Sequence, residues 1–333
     1  MLTLSNLTLV DRYDRNLNYL RVSITDRCNL KCLYCMPREL IPKLSHREIL
    51  SYEEILRVVK VGAALGISKI RITGGEPLVR KGVYRFLSQL TRMEGLQDIS
   101  LTTNAVLLKD NISKIRSVNI KRINVSLDTL NKAKFKHITG YDFFDQIWEG
   151  IHLARKMGFY PIKINVVPLK GINDDELVDI AGLSIKYPFH IRFIEYMPMG
   201  SSQISSDRHL LAPEIKERIH RLGKLIPVDR SLNDGPAERF KLESAQGEIG
   251  FIRPISQHFC STCNRLRLTA SGQLRPCLMS DDQEDLKSLL RQGCSDAEIA
   301  KGFLNAVRRK PSEHKLIDDD HARISSQMCA IGG

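Results

Sequence analysis

The sequence lacks the features of a membrane or secreted protein. Its longest apolar runs fall far short of the ~20 residues that a membrane-spanning helix needs. The first residues, MLTLSNLTLVDRYDRNLNYL, contain no basic segment, no long apolar core and no A-x-A cleavage site, so no signal peptide is predicted. We therefore expect a cytoplasmic protein that has no membrane partner.

Aromatic and acidic residues are both scarce. Phe, Trp and Tyr make up 6% of the chain, and 38 Asp and Glu stand against 50 Lys and Arg, which gives a net charge of +12. A basic surface is common, but it also suits a polyanionic partner, either nucleic acid or a phosphorylated small molecule. Because RNA-binding sheets need exposed aromatic residues for base stacking, we do not expect nucleic acid as the partner.

The chain also lacks low-complexity tracts and internal repeats, and at 333 residues it has room for one large α/β domain or about two average ones. β-rich runs alternate with helical patterns, and the strand candidates are 19–25, 68–73, 98–103, 121–127, 161–167 and 189–196. Helix candidates at 51–66, 142–158 and 173–186 begin at capping residues, with a capping-box pattern at Ser51 and Glu54. Six strand–helix units in series predict a parallel sheet, two units short of a closed eightfold barrel.

Apolar and polar residues alternate along these strands, unlike the continuous apolar runs of a parallel sheet covered on both faces. One face is expected to bind the helices, and the other to line a lumen that holds a polar ligand. Four cations could point into this lumen: Arg21, Arg71, Lys163 and Arg192. Buried cations are costly without anionic partners, which a di- or triphosphate would supply. An open antiparallel sheet is the alternative, but the intervening helices argue against it.

The helical alternation stops after about residue 222. The C-terminal part has strand candidates at 224–228 and 237–253 and helix candidates at 283–291 and 295–308. We therefore predict an α/β protein with two regions. An incomplete (βα)6 barrel of the TIM type spans 1–222, and a smaller region spans 223–333 and closes the open side of the barrel.

Eight cysteines in a chain without a secretion signal do not suggest a disulfide framework. Six of them form two groups, a first triad and a second triad: Cys28, Cys32 and Cys35, then Cys260, Cys263 and Cys277. Three thiolates can hold a four-iron cluster and leave one iron free for another ligand. Zinc would need a fourth protein ligand, and no histidine stands close to the first triad. Cys294 and Cys329 are isolated and are interpreted as structural.

Further residues accompany the first triad. Tyr34 directly precedes its last cysteine, and the second strand candidate ends in TGGEP at 73–77. This combination resembles the radical S-adenosylmethionine (SAM) superfamily. The resemblance implies that the free iron chelates the amino and carboxylate groups of SAM. It also implies that the Gly-Gly-Glu-Pro turn lets the backbone approach the methionine part of SAM, which suits the permissive geometry of glycine.

The second triad, the segment YLRVSITDRCNLKCLYC and the terminal Gly332-Gly333 together resemble the GTP 3′,8-cyclase family of molybdenum-cofactor biosynthesis, along essentially the whole chain. The resemblance implies two [4Fe–4S] clusters. It further implies that a 5′-deoxyadenosyl radical derived from SAM removes the 3′ hydrogen of GTP, and that C3′ then bonds to C8 to give (8S)-3′,8-cyclo-7,8-dihydroguanosine 5′-triphosphate. By the same resemblance, the second cluster is expected to bind guanine, and the glycine tail is expected to reach into the active site.

The same resemblance implies roles for individual residues. The expected SAM contacts are Tyr34, Gly75, Ser126 and Met197. The expected GTP contacts are Arg21, Arg71, Thr102, Lys163, Arg192, Arg265, Leu266 and Arg267. The expected catalytic set is Cys28, Cys32, Cys35, Arg265 and Arg267. Arginine suits phosphate because its donors form a fixed fork that is always charged.

Partners and alternatives complete the interpretation. An electron donor and a downstream cyclic pyranopterin monophosphate synthase are implied, and the choice between monomer and homodimer stays open. One alternative is a radical SAM peptide maturase, although such enzymes tend to carry longer C-terminal cysteine arrays. A basic zinc protein that binds RNA is the other.

Overall fold

The computed structural model describes residues 8–35, 43–200, 204–229, 235–314 and 324–332. The strands are β1 (Tyr19–Ser23), β2 (Lys69–Thr73), β3 (Asp98–Thr103), β4 (Arg122–Ser126), β5 (Ile162–Val166), β6 (Phe189–Ile194), β7 (Leu225–Pro227), β8 (Glu238–Leu242), β9 (Glu248–Ile252), β10 (Arg265–Leu268), β11 (Gln273–Arg275) and β12 (Glu284–Asp285). The helices are α1 (Tyr52–Ala64), α2 (Val83–Leu90), α3 (Leu108–Ser117), α4 (Lys132–Thr139), α5 (Phe144–Lys156), α6 (Leu177–Lys186), α7 (Ala212–Ile219), α8 (Leu286–Arg291), α9 (Asp296–Arg308) and α10 (Met328–Ile331).

The first six strands pair in parallel and in chain order, with a helical crossover between each pair. This confirms the predicted α/β fold with a partial barrel of the TIM type. The alternation of the strands has the predicted consequence for burial. In β1, for example, Leu20 and Val22 are fully buried in the core under the helices, whereas the intervening Arg21 lines a cavity on the other face.

The predicted helix starts are right for one helix and wrong for two. The Ser51 side chain accepts from the backbone N–H of Glu54 at 3.1 Å, and the Glu54 carboxylate accepts from the backbone N–H of Ser51 at 2.6 Å. Helices α5 and α6 instead begin without a side-chain cap. The Asn173 side chain is committed elsewhere, because its oxygen accepts from the backbone N–H of Leu169 at 2.8 Å.

The C-terminal strands extend the same sheet at both of its edges. Strand β10 lies parallel to β1, and β9 lies parallel to β6, so the parallel part grows from six strands to eight. Antiparallel strands β11 and β12 follow β10, and β8 and β7 follow β9. The outermost strands β12 and β7 share no ladder in the described ranges, so the sheet is open there. The boundary at residue 222 stays a prediction.

In the described ranges, no helix is long and apolar enough to cross a membrane.

The junction between β6 and β9 depends on a glycine. A Cβ added at Gly247 would lie 2.0 Å from the carbonyl oxygen of Phe189, at the start of β6. Because that contact is with backbone, Gly247→Ala is expected to lower the free energy of unfolding by about 1–3 kcal/mol. The measurement is denaturant-induced unfolding of the purified protein.

Gly182→Ala is the matched control. Gly182 lies within α6, and a Cβ added there would meet nothing within 4 Å. Alanine is favoured over glycine inside a helix, so this variant should gain up to about 1 kcal/mol. A loss of stability in both variants, or in neither, would contradict the role assigned to Gly247.

Candidate active site

Both cysteine triads line one cavity on the polar face of the sheet. The cavity and its open mouth leave about 2050 Å³ free of protein atoms. Its lining includes the basic side chains of Arg21, Arg71, Lys163 and Arg192. The predicted polar lumen is therefore present.

The first triad follows β1 in a loop that is held by backbone hydrogen bonds. The N–H of Cys35 donates to the carbonyl of Cys32 at 3.0 Å, and the N–H of Lys31 donates to the carbonyl of Thr139, at the end of α4, at 2.9 Å. The Cys28 sulfur accepts from the N–H of Leu30 at 3.4 Å. Such donors to sulfur are typical of iron–sulfur sites.

Burial raises the pKa of Cys28 to about 11 and also raises the pKa of Cys32. The pKa of Cys35 is raised first by a hydrogen bond to Cys329 and then by burial. These thiols are thus costly to ionise alone, whereas a bound metal cluster would stabilise them as thiolates. In the part of the chain described, no three His, Cys, Asp or Glu side chains converge enough to hold a single metal ion. A four-iron cluster needs no such convergence, because each thiolate binds a different iron.

The Gly-Gly-Glu-Pro turn braces the loop that leads to the first triad. A Cβ on Gly75 would lie 2.3 Å from the carbonyl oxygen of Arg27, so glycine is needed for contact with the protein's own backbone. The Glu76 carboxylate accepts from the N–H of Leu78 at 3.0 Å and from the N–H of Asn104 at 2.7 Å. Burial raises the pKa of Glu76 to about 7 despite these hydrogen bonds. Gly75 and Glu76 of this turn are therefore needed in part for the protein's own structure.

The second triad is assembled by the β10–β11 hairpin. Cys260 begins a short 3-10 turn, Cys263 directly follows it, and β10 begins two residues later. Strand β11 returns antiparallel and delivers Cys277 to the same cavity. The residues between Cys263 and Cys277 thus form the β10–β11 hairpin. Burial would raise the pKa of Cys263, but the nearby cations Arg265 and Lys310 outweigh it and lower that pKa to about 6.

Cations lie side by side between the two triads. The sheet register aligns Arg267 of β10, Arg21 of β1 and Arg71 of β2 on three neighbouring strands. Lys163 and Arg192 line the same cavity from β5 and β6. Burial, together with Arg192 and other nearby cations, lowers the pKa of Lys163 to about 5. Burial likewise lowers the pKa of Arg21 to about 10 and that of Arg267 well below its usual range.

The structure brings nearly all of the sequence-predicted site residues together. The cavity is lined by both triads and by Tyr34, Gly75, Ser126, Met197, Arg21, Arg71, Thr102, Lys163, Arg192, Arg265 and Arg267. Leu266 is the exception, because its side chain is fully buried in the hydrophobic core on the opposite face of β10. A contact from Leu266 to GTP would therefore have to come from its backbone. The ligand contacts of the other residues stay predictions.

The C-terminal tail enters the cavity region. Arg267 donates to the carbonyl of Gly332 at 3.0 Å. Gly332 has a φ of 73°, and a Cβ there would lie 2.7 Å from Thr73 and 2.8 Å from Ser23, at the ends of β2 and β1. Only glycine suits this conformation and this space. Gly333 lies outside the described residues.

Two functional candidates escaped the sequence analysis. Cys329, interpreted as structural, lines the cavity and shares a hydrogen bond with Cys35 of the first triad. Asp128 also lines the cavity, and its carboxylate accepts from the Tyr34 hydroxyl at 2.5 Å. The signal for Asp128 was its place just after the fourth strand, where side chains reach the functional end of a barrel. No local pattern marks Cys329.

Comparison with known proteins decides the family. Residues 22–183 match the model of the radical SAM superfamily, and residues 189–316 match the model described as Molybdenum Cofactor Synthesis C. GTP 3′,8-cyclase of Thermodesulfovibrio yellowstonii is 50% identical over 325 residues, which cover 97% of this chain and 99% of that relative. GTP 3′,8-cyclase of Moorella thermoacetica is 46% identical over 97% of this chain and 99% of its own. This chain belongs to the GTP 3′,8-cyclase family.

Solved structures support the fold of this member of the GTP 3′,8-cyclase family. SuiB of Streptococcus suis, in its structure bound to S-adenosylmethionine, superposes with a TM-score of 0.63 at 14% identity, and covers 96% of this chain and 79% of its own. At that identity the likeness concerns the fold alone. Because the chain belongs to this family, both alternative interpretations, a peptide maturase and a zinc protein that binds RNA, are excluded. As a radical SAM enzyme the chain uses SAM and iron–sulfur chemistry, and the two triads fit two [4Fe–4S] clusters.

The charge state of Lys163 gives a testable consequence. With a pKa of about 5, Lys163 is neutral at pH 7 in the ligand-free cavity. A polyphosphate beside it favours the ammonium form and raises its pKa, so binding should take up to about one proton from solution. Calorimetry with inorganic triphosphate, in two buffers of different ionisation heat, measures this uptake.

Lys163→Met should abolish most of this proton uptake and weaken triphosphate binding. Lys186→Met, on the exposed end of α6, should leave both unchanged. Equal proton uptake in the original protein and in Lys163→Met would show that Lys163 does not titrate on binding.

Proposed function

We propose that this chain is a GTP 3′,8-cyclase that converts GTP to (8S)-3′,8-cyclo-7,8-dihydroguanosine 5′-triphosphate, the first step of molybdopterin biosynthesis. The observation that carries the proposal is the single cavity that both triads line, with a row of buried and half-buried cations between them. A cluster held by Cys28, Cys32 and Cys35 would supply the electron that cleaves SAM, and the 5′-deoxyadenosyl radical would take the ribose 3′ hydrogen so that C3′ bonds to C8. One further electron and a proton would then convert the remaining purine radical to the 7,8-dihydro product.

The first triad and its surroundings form the SAM side of the site. Cys28, Cys32 and Cys35 would hold the cluster, and the turn at Gly75 keeps their loop in place. Tyr34, Gly75, Ser126 and Met197 are proposed to contact SAM, and all four line the cavity. Tyr34 is oriented by its hydrogen bond to Asp128, which fixes its ring beside the first triad.

The second triad and the cations form the GTP side. Cys260, Cys263 and Cys277 would hold a cluster whose open iron faces the guanine. The triphosphate would lie along the row Arg267, Arg21 and Arg71, with Lys163 and Arg192 on the neighbouring strands. A ligand with several negative charges offsets the cost of burying these cations together. Thr102 would add a hydroxyl donor, since its Oγ1 is buried without a hydrogen-bond partner among the described residues.

The chain's residues also position and shield the reacting atoms. Holding SAM and GTP in one cavity makes hydrogen transfer effectively intramolecular, and excluding water protects the radicals. The tail at Gly332 narrows the space beside β1 and β2. Arg265 and Arg267, which flank Leu266 on β10, would hold GTP next to the second triad.

The remaining parts of the proposal concern organisation and partners. Residues 1–222 would form the SAM-binding barrel, and residues 223–333 would contribute the second cluster and the glycine tail. An electron donor must deliver two electrons per turnover, one to cleave SAM and one, with a proton, to reduce the radical that remains after cyclisation. A cyclic pyranopterin monophosphate synthase would consume the product.

The test is anaerobic incubation of the reduced, reconstituted protein with GTP and SAM. 5′-Deoxyadenosine and a cyclised GTP should both appear, from protein that holds about eight irons per chain. Replacing the second triad by serine should lower the iron content to about four. This variant should still cleave SAM, but cyclised GTP should fall by at least about a hundredfold, because the substrate loses its binding iron.

Two results would contradict the proposal. 5′-Deoxyadenosine without any GTP-derived product in the original protein would exclude GTP as the substrate. Stoichiometric zinc without sulfide would exclude both clusters. Thermal protection by GTP, absent with ATP, would further separate this activity from that of a peptide maturase.

A further inference from the structure

Two buried cations lie behind the second triad and outside the cavity lining. The Arg15 side chain is 5% exposed, and Lys310 is 2% exposed. Neither residue belongs to the cations that are proposed to contact GTP. Both come from segments far from the second triad in sequence, Arg15 before β1 and Lys310 after α9. Burying a cation costs free energy unless hydrogen bonds or an opposite charge compensate for the lost solvation.

Arg15 donates hydrogen bonds to backbone carbonyls of two separate segments. Its guanidinium donates to the carbonyl of Cys260 at 2.7 Å, to that of Pro311 at 2.6 Å and to that of Ser312 at 3.0 Å. Its Nε pairs with Asp11 at 2.6 Å, and this carboxylate also accepts from the backbone N–H of Arg15 at 3.0 Å. The fork of Arg15 therefore ties the first cysteine of the second triad to the segment that follows α9.

Lys310 donates hydrogen bonds to backbone carbonyls of the β10–β11 hairpin. Its ammonium donates to the carbonyl of Arg265 at 2.9 Å and to that of Pro276 at 2.6 Å. Arg265 lies two residues after Cys263, and Pro276 directly precedes Cys277. Arg15 and Lys310 together thus hold backbone next to all three cysteines of the second triad.

A third group fixes the loop from its other side. The buried carboxylate of Glu195, just after β6, accepts from the backbone N–H groups of Ile255 and Ser256, both at 2.9 Å. The segment before Cys260 is thus anchored through its N–H groups, and Cys260 through its carbonyl. These hydrogen bonds restrain the loop that carries Cys260.

The charge of Lys310 has no carboxylate partner in the described ranges, where its hydrogen bonds go to carbonyls. Cys263 and Cys277 lie close enough to act on it electrostatically, whereas burial and the neighbouring cations Arg265 and Arg15 disfavour its charge. An ammonium buried in this way needs an anion nearby. A four-iron cluster on three thiolates carries net negative charge, so it would supply that anion.

We propose that Arg15 and Lys310 are positioning residues for the second cluster: Arg15 fixes the loop that carries Cys260, and Lys310 fixes the hairpin and balances the negative charge of the cluster. This proposal rests on the proposed function. The cation at Lys310 favours the reduced, more negative state of the cluster, so its removal lowers the midpoint potential.

The chain offers a matched control for Arg15. Arg57 pairs with Asp296 at 2.8 Å and donates to the carbonyl of Cys294 at 2.5 Å, so it has two of the kinds of partner that Arg15 has, a carboxylate and a cysteine carbonyl. Cys294 belongs to neither triad, and the Arg57 side chain is 36% exposed. A general effect of losing an arginine would therefore appear in Arg57→Met as well.

The experiment uses the full chain with the first triad replaced by serine, so that all bound iron belongs to the second triad. Into this background we would introduce Arg15→Met, Arg15→Lys, Lys310→Met and the control Arg57→Met. After anaerobic reconstitution, the readouts are iron per chain, the midpoint potential from an electron paramagnetic resonance titration, and the spectral change on adding GTP. Thermal melting checks that each variant is folded.

The background and Arg57→Met should hold about four irons and respond to GTP. Arg15→Met should lose at least about half of its iron or its GTP response, and Arg15→Lys should recover part of it. Lys310→Met should show a lower midpoint potential, a shift that a merely structural role would not produce. If Arg15→Met does not fold, Arg15→Lys and Lys310→Met decide the result.

Retention of iron, potential and GTP response in Lys310→Met and in the folded Arg15 variants would overturn the proposal. A background protein that binds no iron, or that ignores GTP, would instead refute the proposed function of the second triad. The two failures are therefore distinguishable.

Discussion

The burial of several cations around one cavity is the constraint on which the rest of the structure depends. Arg267, Arg21 and Arg71 stand on neighbouring strands at one level of the sheet, and burial lowers the pKa of Arg21 and of Arg267. Like charges at this spacing repel one another, so only a well-packed scaffold and an anionic ligand make the arrangement favourable. The continuous core beneath the helices supplies the scaffold, and the triphosphate of GTP is the ligand proposed for the row.

The two triads differ in their electrostatic surroundings. Around the first, burial raises the pKa of Cys28 and of Cys32, and Asp128 adds to the effect on Cys32. In the second, burial also raises the pKa of Cys260, but Arg265 and Lys310 overcome the effect of burial on Cys263 and lower its pKa to about 6. The cations beside Cys263 therefore distinguish the second triad from the first.

Much of the fold and of the site followed from local patterns. The alternation of Leu20, Arg21 and Val22 predicted a polar lumen. The spacing of the first triad predicted an iron–sulfur cluster, and the family resemblance implied a second one. Leu266 shows the limit of motif transfer, because its place between two arginines on a strand turns its side chain into the core. Cys329 shows another limit, because its contact with Cys35 joins residues from opposite ends of the chain.

The sequence by itself determined the strands, the type of barrel, the two cysteine triads and the cations on the polar strand faces, because these depend on period-two burial and on short ligand spacings. Only the tertiary structure decided that β10 and β9 extend the two edges of the sheet. It alone placed Arg15 against Cys260, 245 residues away, and Lys310 against the hairpin. Such contacts satisfy buried carbonyls and charges. They join residues that are far apart in the chain, so local sequence patterns do not predict them.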